Sequence, residues 1–362
     1  MKFLLVCVFA LLLVACSNER PGGQAETAEA GSDSPLNVIA TIFPQFDFVR
    51  RIGGDRVDLS MLISPGAEAH AFEPTPRDIV ELSRADLIIY VGGHGDEWLE
   101  RILASLDADD LRTVALVDLV HTVEALVVPG MEDAHHHHGG HGHGHHDHDH
   151  DHDDHDHDHD HHDHDHDHDD HDHDHDHHDH HHHHHDHDID EHVWTSPQNA
   201  IAIVEALTEI LAEMDPQNAY YFRENAARFV EELCELDCAF AEIVAEGVRS
   251  TVIFGDRFPF RYLMDAYGLT YYAAFPGCAT ETMASPGTIA FLIDKVNSEN
   301  IPVVFYIEFS TRLITDVITE ATGTRALELH SVHNVSQADF DAGITYLDLM
   351  RRNAERLREA LS

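Results

Sequence analysis

Between residues 135 and 187 the sequence contains only His, Asp and Gly, with 18 Asp and a majority of His. These side chains supply nothing to bury, so the stretch cannot offset its own ordering entropy and is predicted to be a disordered loop. The folded part of the chain must therefore be assembled from the residues before it and the residues after it. It is followed at once by Asp188-Ile189-Asp190-Glu191-His192-Val193-Trp194-Thr195-Ser196-Pro197, which reads as ordinary folded protein. A solvated acidic linker needs no His, and a purification tag would be short, terminal and free of interleaved Asp. Imidazole is the commonest protein ligand for borderline transition metals and carboxylate is a second, so the composition points to metal binding. A free coil of this length has an r.m.s. span of roughly 40 Å, enough to cover the mouth of a cleft.

The chain has 362 residues, long enough for two domains, and a net charge of −47 with His neutral. The tract's Asp residues explain only part of that charge. Nucleic-acid binding needs clustered Lys and Arg and is excluded as a function class; cationic partners, metal ions among them, suit the field. Residues 1–15 read as a secretory signal, with Lys2 followed by an apolar run too short to remain as a comfortable span. Leu13-Val14-Ala15-Cys16 resembles a bacterial lipobox, so Cys16 is the expected lipidation site and residues 16–35 a flexible tether. The expected location is extracytoplasmic, anchored to the cell membrane or periplasmic. Cys234, Cys238 and Cys278 form no Cys-x-x-Cys pair and are expected to be mostly buried apolar residues rather than a metal site.

Outside the tract, apolar runs typical of buried strands alternate with amphipathic segments. Strands are predicted at 37–43, 57–63, 86–91 and 113–117, with helices at 45–52, 76–83 and 97–106 between them. After the tract, Ser196-Pro197 reads as an N-cap and first helical position of a helix to about Met214. Asp215-Pro216 repeats the signal, and Phe222, Ala226, Phe229, Leu233, Leu236, Phe240 and Ile243 recur in steps of four and three. That single stripe predicts one helix over 216–247, roughly 45 Å long, acting as a stiff strut. A second alternation follows, with strands at 251–255, 269–275, 303–307 and 326–329 and a closing helix at 346–361. The fold class is α/β: two α/β lobes with mostly parallel sheets, over 36–215 and 248–362, joined by one long rigid helix, with the metal site in the cleft between them.

Only His70, His94, His121, His192, His330 and His333 lie outside the tract. In open α/β sheets ligands bind beyond the carboxyl ends of the strands. His70 follows the second predicted strand, His330 ends the last, Asp256 and Glu308 sit just past strand ends, and His192 precedes a capped helix. Together His70, His192 and His330 with one carboxylate would make a four-ligand shell of the kind zinc prefers. His94 and His121 read as surface or loop-anchor residues, and His333 as a turn anchor or solvent-facing residue that still competes with His330.

Three motifs in order resemble a known family. They are Gly66-Ala67-Glu68-Ala69-His70-Ala71-Phe72-Glu73-Pro74-Thr75-Pro76, then Asp190-Glu191-His192-Val193-Trp194-Thr195-Ser196-Pro197, then Asp215-Pro216-Gln217-Asn218. From about Asn37 to the end the chain is similar to the metal-binding receptors of bacterial ATP-driven metal importers, the cluster A-I solute-binding lipoproteins, in their zinc branch. The resemblance implies His70 and His192 as metal ligands, zinc as the ion, and an ABC permease as partner. It implies a receptor, expected to be a monomer, rather than an enzyme. A His-rich loop before the second motif looks like the mark of zinc receptors as opposed to manganese ones. Where the family has a further His, this chain reads Phe254-Gly255-Asp256-Arg257-Phe258-Pro259-Phe260, and Asp256 is the nearest group able to coordinate. The family's late acidic ligand falls at about His330. The expected site is therefore His70, His192, His330 and Asp256, with Glu308 and His333 as other candidates for the fourth position. Alternatives are a receptor for manganese, nickel or copper, or a His-rich metal buffer. No His-Glu-x-x-His pattern supports a zinc hydrolase.

Overall fold

The second predicted strand, Val57-Asp58-Leu59-Ser60-Met61, alternates buried or half-buried positions with exposed ones, whereas Val38, Ile39 and Ala40 and then Leu87, Ile88 and Ile89 are buried without a break. That difference is what an edge strand and two central strands of a parallel sheet require. The computed structural model describes residues 34–68, 72–106, 111–125, 128–129, 131, 189–277 and 284–362. Residues 1–33 with Cys16, residues 69–71 with His70, the His/Asp tract and Cys278 lie outside the described residues.

The first sheet comprises β1 (Leu36–Ala40), β2 (Val57–Met61), β3 (Leu87–Tyr90) and β4 (Arg112–Ala115), in the order β2-β1-β3-β4 and parallel throughout. Its helices are α1 (Phe43–Gly53), α2 (Pro76–Leu82) and α3 (Glu97–Leu103). After the tract come α4 (Pro197–Met214) and α5 (Ala219–Glu246). The second sheet has β5 (Thr251–Phe258), β6 (Thr270–Pro276), β7 (Val303–Tyr306) and β8 (Arg325–Glu328), in the order β6-β5-β7-β8, again all parallel. Helices α6 (Arg261–Tyr267), α7 (Pro286–Glu299), α8 (Leu313–Thr322) and α10 (Tyr346–Leu361) accompany it, while α9 (Gln337–Asp341) sets Phe340 against Phe46 of α1 at 5.3 Å. The two sheets thus repeat one topology. In each, the chain leaves the first strand toward one side and the third toward the other, so a crevice opens at the carboxyl ends of β1/β3 and of β5/β7.

Helix α5 buries Phe222, Ala226, Phe229, Leu233, Leu236, Phe240 and Ile243, the seven residues of the predicted stripe. It starts three residues after Pro216, because Asp215 first closes a turn by accepting the backbone N–H of Asn218 at 3.2 Å. It packs against α1, α4 and α10, and its stripe belongs to one apolar cluster that also contains Val38 and Leu87 of the first sheet and Val252 and Phe305 of the second. Cys234 and Cys238 are exposed, against expectation. The reason is helical phase: each is offset from the 233, 236, 240 stripe by about 100° per residue, which turns the thiols outward.

Candidate metal centre

The segment that carries His192 is fixed from several sides. Ile189 bridges Glu124, and Asp190 N–H donates to the Val123 carbonyl at 2.9 Å. Tyr262 Oη accepts from Val123 N–H at 3.2 Å and donates to the Asp190 carbonyl at 2.7 Å. Residues 193–195 then form one 3-10 turn before α4, whose N-cap position holds Ser196 without a side-chain cap bond. His192 is 2% exposed. Its Nδ1 is 3.0 Å from Asp190 Oδ1, and its backbone N–H donates to the same oxygen at 2.9 Å. Burial works to raise the Asp190 carboxyl, but the bonds and charge of His192 and the charge of Arg261 outweigh it and hold the group below the ordinary carboxylate range. A carboxylate on one ring nitrogen fixes the ring's orientation and tautomer, the arrangement that typically stands behind a metal-ligating His. Gly277 lies against the same side of the ring, where a Cβ would come within 2.8 Å of Cε1 and 3.2 Å of Nδ1.

His192 faces His333, with ring centroids 6.0 Å apart and planes at 86°. Trp194 lies tilted against both, 5.4 Å from His192 and 5.2 Å from His333, and its indole N–H donates to the Ser331 carbonyl at 2.9 Å. His333 comes from the segment after β8, which crosses to the first sheet. Its carbonyl accepts from Phe43 N–H at 3.4 Å, and Asn334 Nδ2 donates to the Ser64 and Ala67 carbonyls at 2.9 Å each. The crossing depends on Val332, buried with φ 63°. A β-branched residue in this region is an outlier. The left-handed turn lets Val332 N–H donate to His330 Nδ1 at 2.9 Å and sends His333 toward His192.

His192 and His333 line two cavities. The first is also lined by Glu68, Arg257, Ile307, Glu308, Phe309 and Ser331, at the carboxyl ends of β5 and β7. The second is lined by Ile42, Val91, Gly95, Asp96, Glu191 and Trp194, at the carboxyl ends of β1 and β3. Both crevices expected from the sheet order thus meet at the His pair. In the first, Glu308 accepts the Ser331 N–H at 2.7 Å and the Ser331 hydroxyl. Phe309, next to it, is a second non-glycine residue in the left-handed region, at φ 58°. Strained backbone of this kind costs about 1–3 kcal/mol per residue and gathers at functional sites. In the second cavity Asp96 accepts the N–H groups of Val91 at 2.8 Å and Gly92 at 3.0 Å, yet burial lifts its carboxyl to about 6. Glu191 accepts Gly95 N–H at 2.8 Å and is also raised, first by burial.

The other sequence-derived candidates fall elsewhere. His70 lies outside the described residues, although Glu68, two residues before it, lines the first cavity. His330 lines neither cavity; its ring is turned back on its own turn by the Val332 bond, with Nδ1 3.7 Å from Glu308 Oε2. Asp256 lines neither cavity as well. Its Oδ1 accepts Arg257 N–H at 2.8 Å and its Oδ2 accepts Ile307 N–H at 3.4 Å, both structural bonds at a strand end. His192, His333 and Glu308 line one cavity, whereas His330 reaches Glu308 only from behind and, like Asp256, lines neither cavity. Among the described residues no three His, Cys, Asp or Glu side chains converge closely enough to hold an ion. His94 and His121 are exposed, as expected, and His94 Nδ1 lies 2.7 Å from Glu97.

The family model described as "Zinc-uptake complex component A periplasmic" (ZnuA) matches residues 38–360. The chain belongs to this family. It is 25% identical over 358 residues to the zinc-binding lipoprotein AdcA of Streptococcus pneumoniae, covering 99% of this chain and 60% of that relative, so the chain spans less than two thirds of AdcA. It is 25% identical over 354 residues to the high-affinity zinc uptake system protein ZnuA of Bacillus subtilis, covering 97% of this chain and 94% of the relative. Among solved structures, the Zn(II)-bound ZnuA-like domain of Streptococcus pneumoniae AdcA aligns with a TM-score of 0.63 at 22% identity, over 91% of this chain and 99% of the other. The lipoprotein YcdH of Bacillus subtilis aligns at 0.66 and 22% identity, over 90% of this chain and all of the other (100%). At these identities the structural likeness carries the two-sheet fold.

Proposed function

We propose that the protein is an extracytoplasmic receptor that captures zinc and delivers it to an ABC permease, without transforming it. The observation that carries this reading is the pair of buried His192 and half-buried His333 at the point where the two switch-point crevices meet, in a member of the zinc-uptake family. Two relatives named for zinc, AdcA and ZnuA, support the choice of ion. The name of AdcA as a lipoprotein supports a membrane-anchored location and Cys16 as its lipid attachment. No described helix is long and apolar enough to cross a membrane.

The proposed ligands are His192, His333, Glu308 and, from the sequence motif, His70. Three imidazoles and one carboxylate suit zinc in type and number, and the harder oxygen-rich shells preferred by manganese fit this set less well. Glu308 is already oriented by Ser331, and His192 by Asp190, so two donors are fixed before the ion arrives. The test compares His333→Ala with His330→Ala by competition against a zinc chelator of known affinity. His333→Ala should weaken the tightest zinc by about 100-fold or more, the loss that removing one ligand from a four-ligand shell implies, while His330→Ala should change it little. A loss confined to His330→Ala would reassign the site.

A further inference from the structure

The cavity lined by His192, His333 and Glu308 has a permanent cation in its wall. Among the described residues lining it, Arg257 is the one side chain that cannot shed its charge. It is set there by the backbone. Strand β5 slips register against β6 between Phe254 and Arg257, taking an extra residue at Gly255-Asp256. Such a bulge re-aims the side chains that follow it. Gly255 permits the bulge because α8 lies so near that a Cβ would come within 2.6 Å of Thr315 Cα. The Arg257 side chain is 13% exposed, and its Nη1 and Nη2 each lie 3.4 Å from a carboxylate oxygen of Glu68, which is 43% exposed.

A guanidinium beside a cation cargo opposes binding, and within a partly water-excluded cavity that repulsion is screened less than in bulk. The Glu68 pairing is loose, well beyond the roughly 2.7–2.9 Å of a strong charge-assisted bond, so it neutralises Arg257 only in part. At that separation, and with Glu68 43% exposed, the pair also contributes little as a mechanical clasp.

We propose that Arg257 is the release element of the metal site: a fixed positive charge that keeps the affinity for a divalent cation below what the ligands alone would give, with Glu68 as the counter-charge that sets how much of it the ion feels. The proposal rests on the reading of this cavity as the cargo site. Its logic is that of a carrier. Affinity is tuned mainly through the dissociation rate, and an ion held too long is not handed on. The charge acts whether the cleft is open or closed and needs no moving part.

The test uses the full chain, zinc and a chelator strong enough to strip the His/Asp tract first, so that the equilibrium and release rate of the last ion are read. Arg257→Gln should tighten that ion about tenfold and slow its release by a similar factor, and Arg257→Lys, which keeps the charge but not the fork, should stay within about twofold of the parent. Glu68→Gln should loosen it by about three- to tenfold, because the guanidinium loses its counter-charge. A clasp would instead make both neutral substitutions loosen the site. Arg257→Gln at or below parental affinity overturns the proposal, as does Glu68→Gln at or above it. The second variant changes a side chain with much of its surface in water, so it carries the test even if Arg257→Gln fails to fold. His192→Ala separates the two levels. If it keeps the tight ion, the cavity is not the cargo site. If it loses the ion while Arg257→Gln does not tighten it, only the role of Arg257 falls.

Discussion

Asp96 shows how much a single side chain behind the His pair can matter to stability. It is 8% exposed, accepts two backbone N–H groups, and still has its carboxyl lifted from 3.8 to about 6 by burial. A raised carboxyl binds a proton more readily in the folded than in the unfolded state, so stability falls as pH rises from about 4 to about 6 and then levels. The shift corresponds to a loss on the order of 2–3 kcal/mol. Asp96→Asn keeps a carbonyl acceptor for the Val91 and Gly92 N–H groups and removes the charge. Denaturant unfolding of metal-free protein should therefore show the variant gaining on the parent between pH 4 and pH 7; a difference that is flat with pH would contradict the buried-charge account. As a ligand candidate His192 is legible in the sequence, because a motif and a capped helix frame it. The placement of His333 beside it is not. Choosing between His330 and His333 at the end of β8 turns on Val332 being in the left-handed region, which the residue type argues against. The available hint was Asn334, a polar residue that ends up 3% exposed and ties the turn to the first-sheet loops.

At the scale of elements, periodicity carried most of the information. The stripe along α5 was readable to the residue, and so was the outward phase of Cys234 and Cys238 that the expectation of buried thiols overlooked. The register slip in β5 was not readable, since it depends on how closely Thr315 of α8 approaches Gly255. Helix α9, a short turn capped by Ser336, carries too few residues for a periodic signal. The energetic consequence of α5 can be tested at Phe229. Its ring is buried, lies 5.9 Å from Phe48 of α1, and has the Arg51 guanidinium over its face at 4.6 Å. Phe229→Ala should cost about 3–5 kcal/mol, as other truncations of buried aromatics do. Because the α5 stripe belongs to a cluster continuous with both sheets, calorimetry should show one endotherm shifted to lower temperature. Two separate endotherms would mean that the sheets do not share a core in the thermodynamic sense.

For the whole molecule, the same shared core argues against wide hinge closure and for small adjustments around the two crevices, which leaves ion supply as the larger question. The His/Asp tract ends at His187, five residues before His192, and Ile189 is already anchored to Glu124. Any ion held by the tract would therefore be tethered to the site by a few residues of chain, at an effective concentration far above that in bulk. Its 18 Asp carry enough negative charge to offset several bound cations. We expect the tract to hold several zinc ions weakly and the cleft to hold one tightly. Calorimetry of the full chain should resolve both classes at neutral pH. A chain lacking residues 135–187 should keep the tight ion, its metal-linked rise in thermal stability, and no weak class. Imidazole must be neutral to ligate, so the weak class should fade as pH falls through about 6.5. One ion per chain both with and without the tract would remove its role as a collector, and loss of the tight ion on deletion would make the tract itself the principal site.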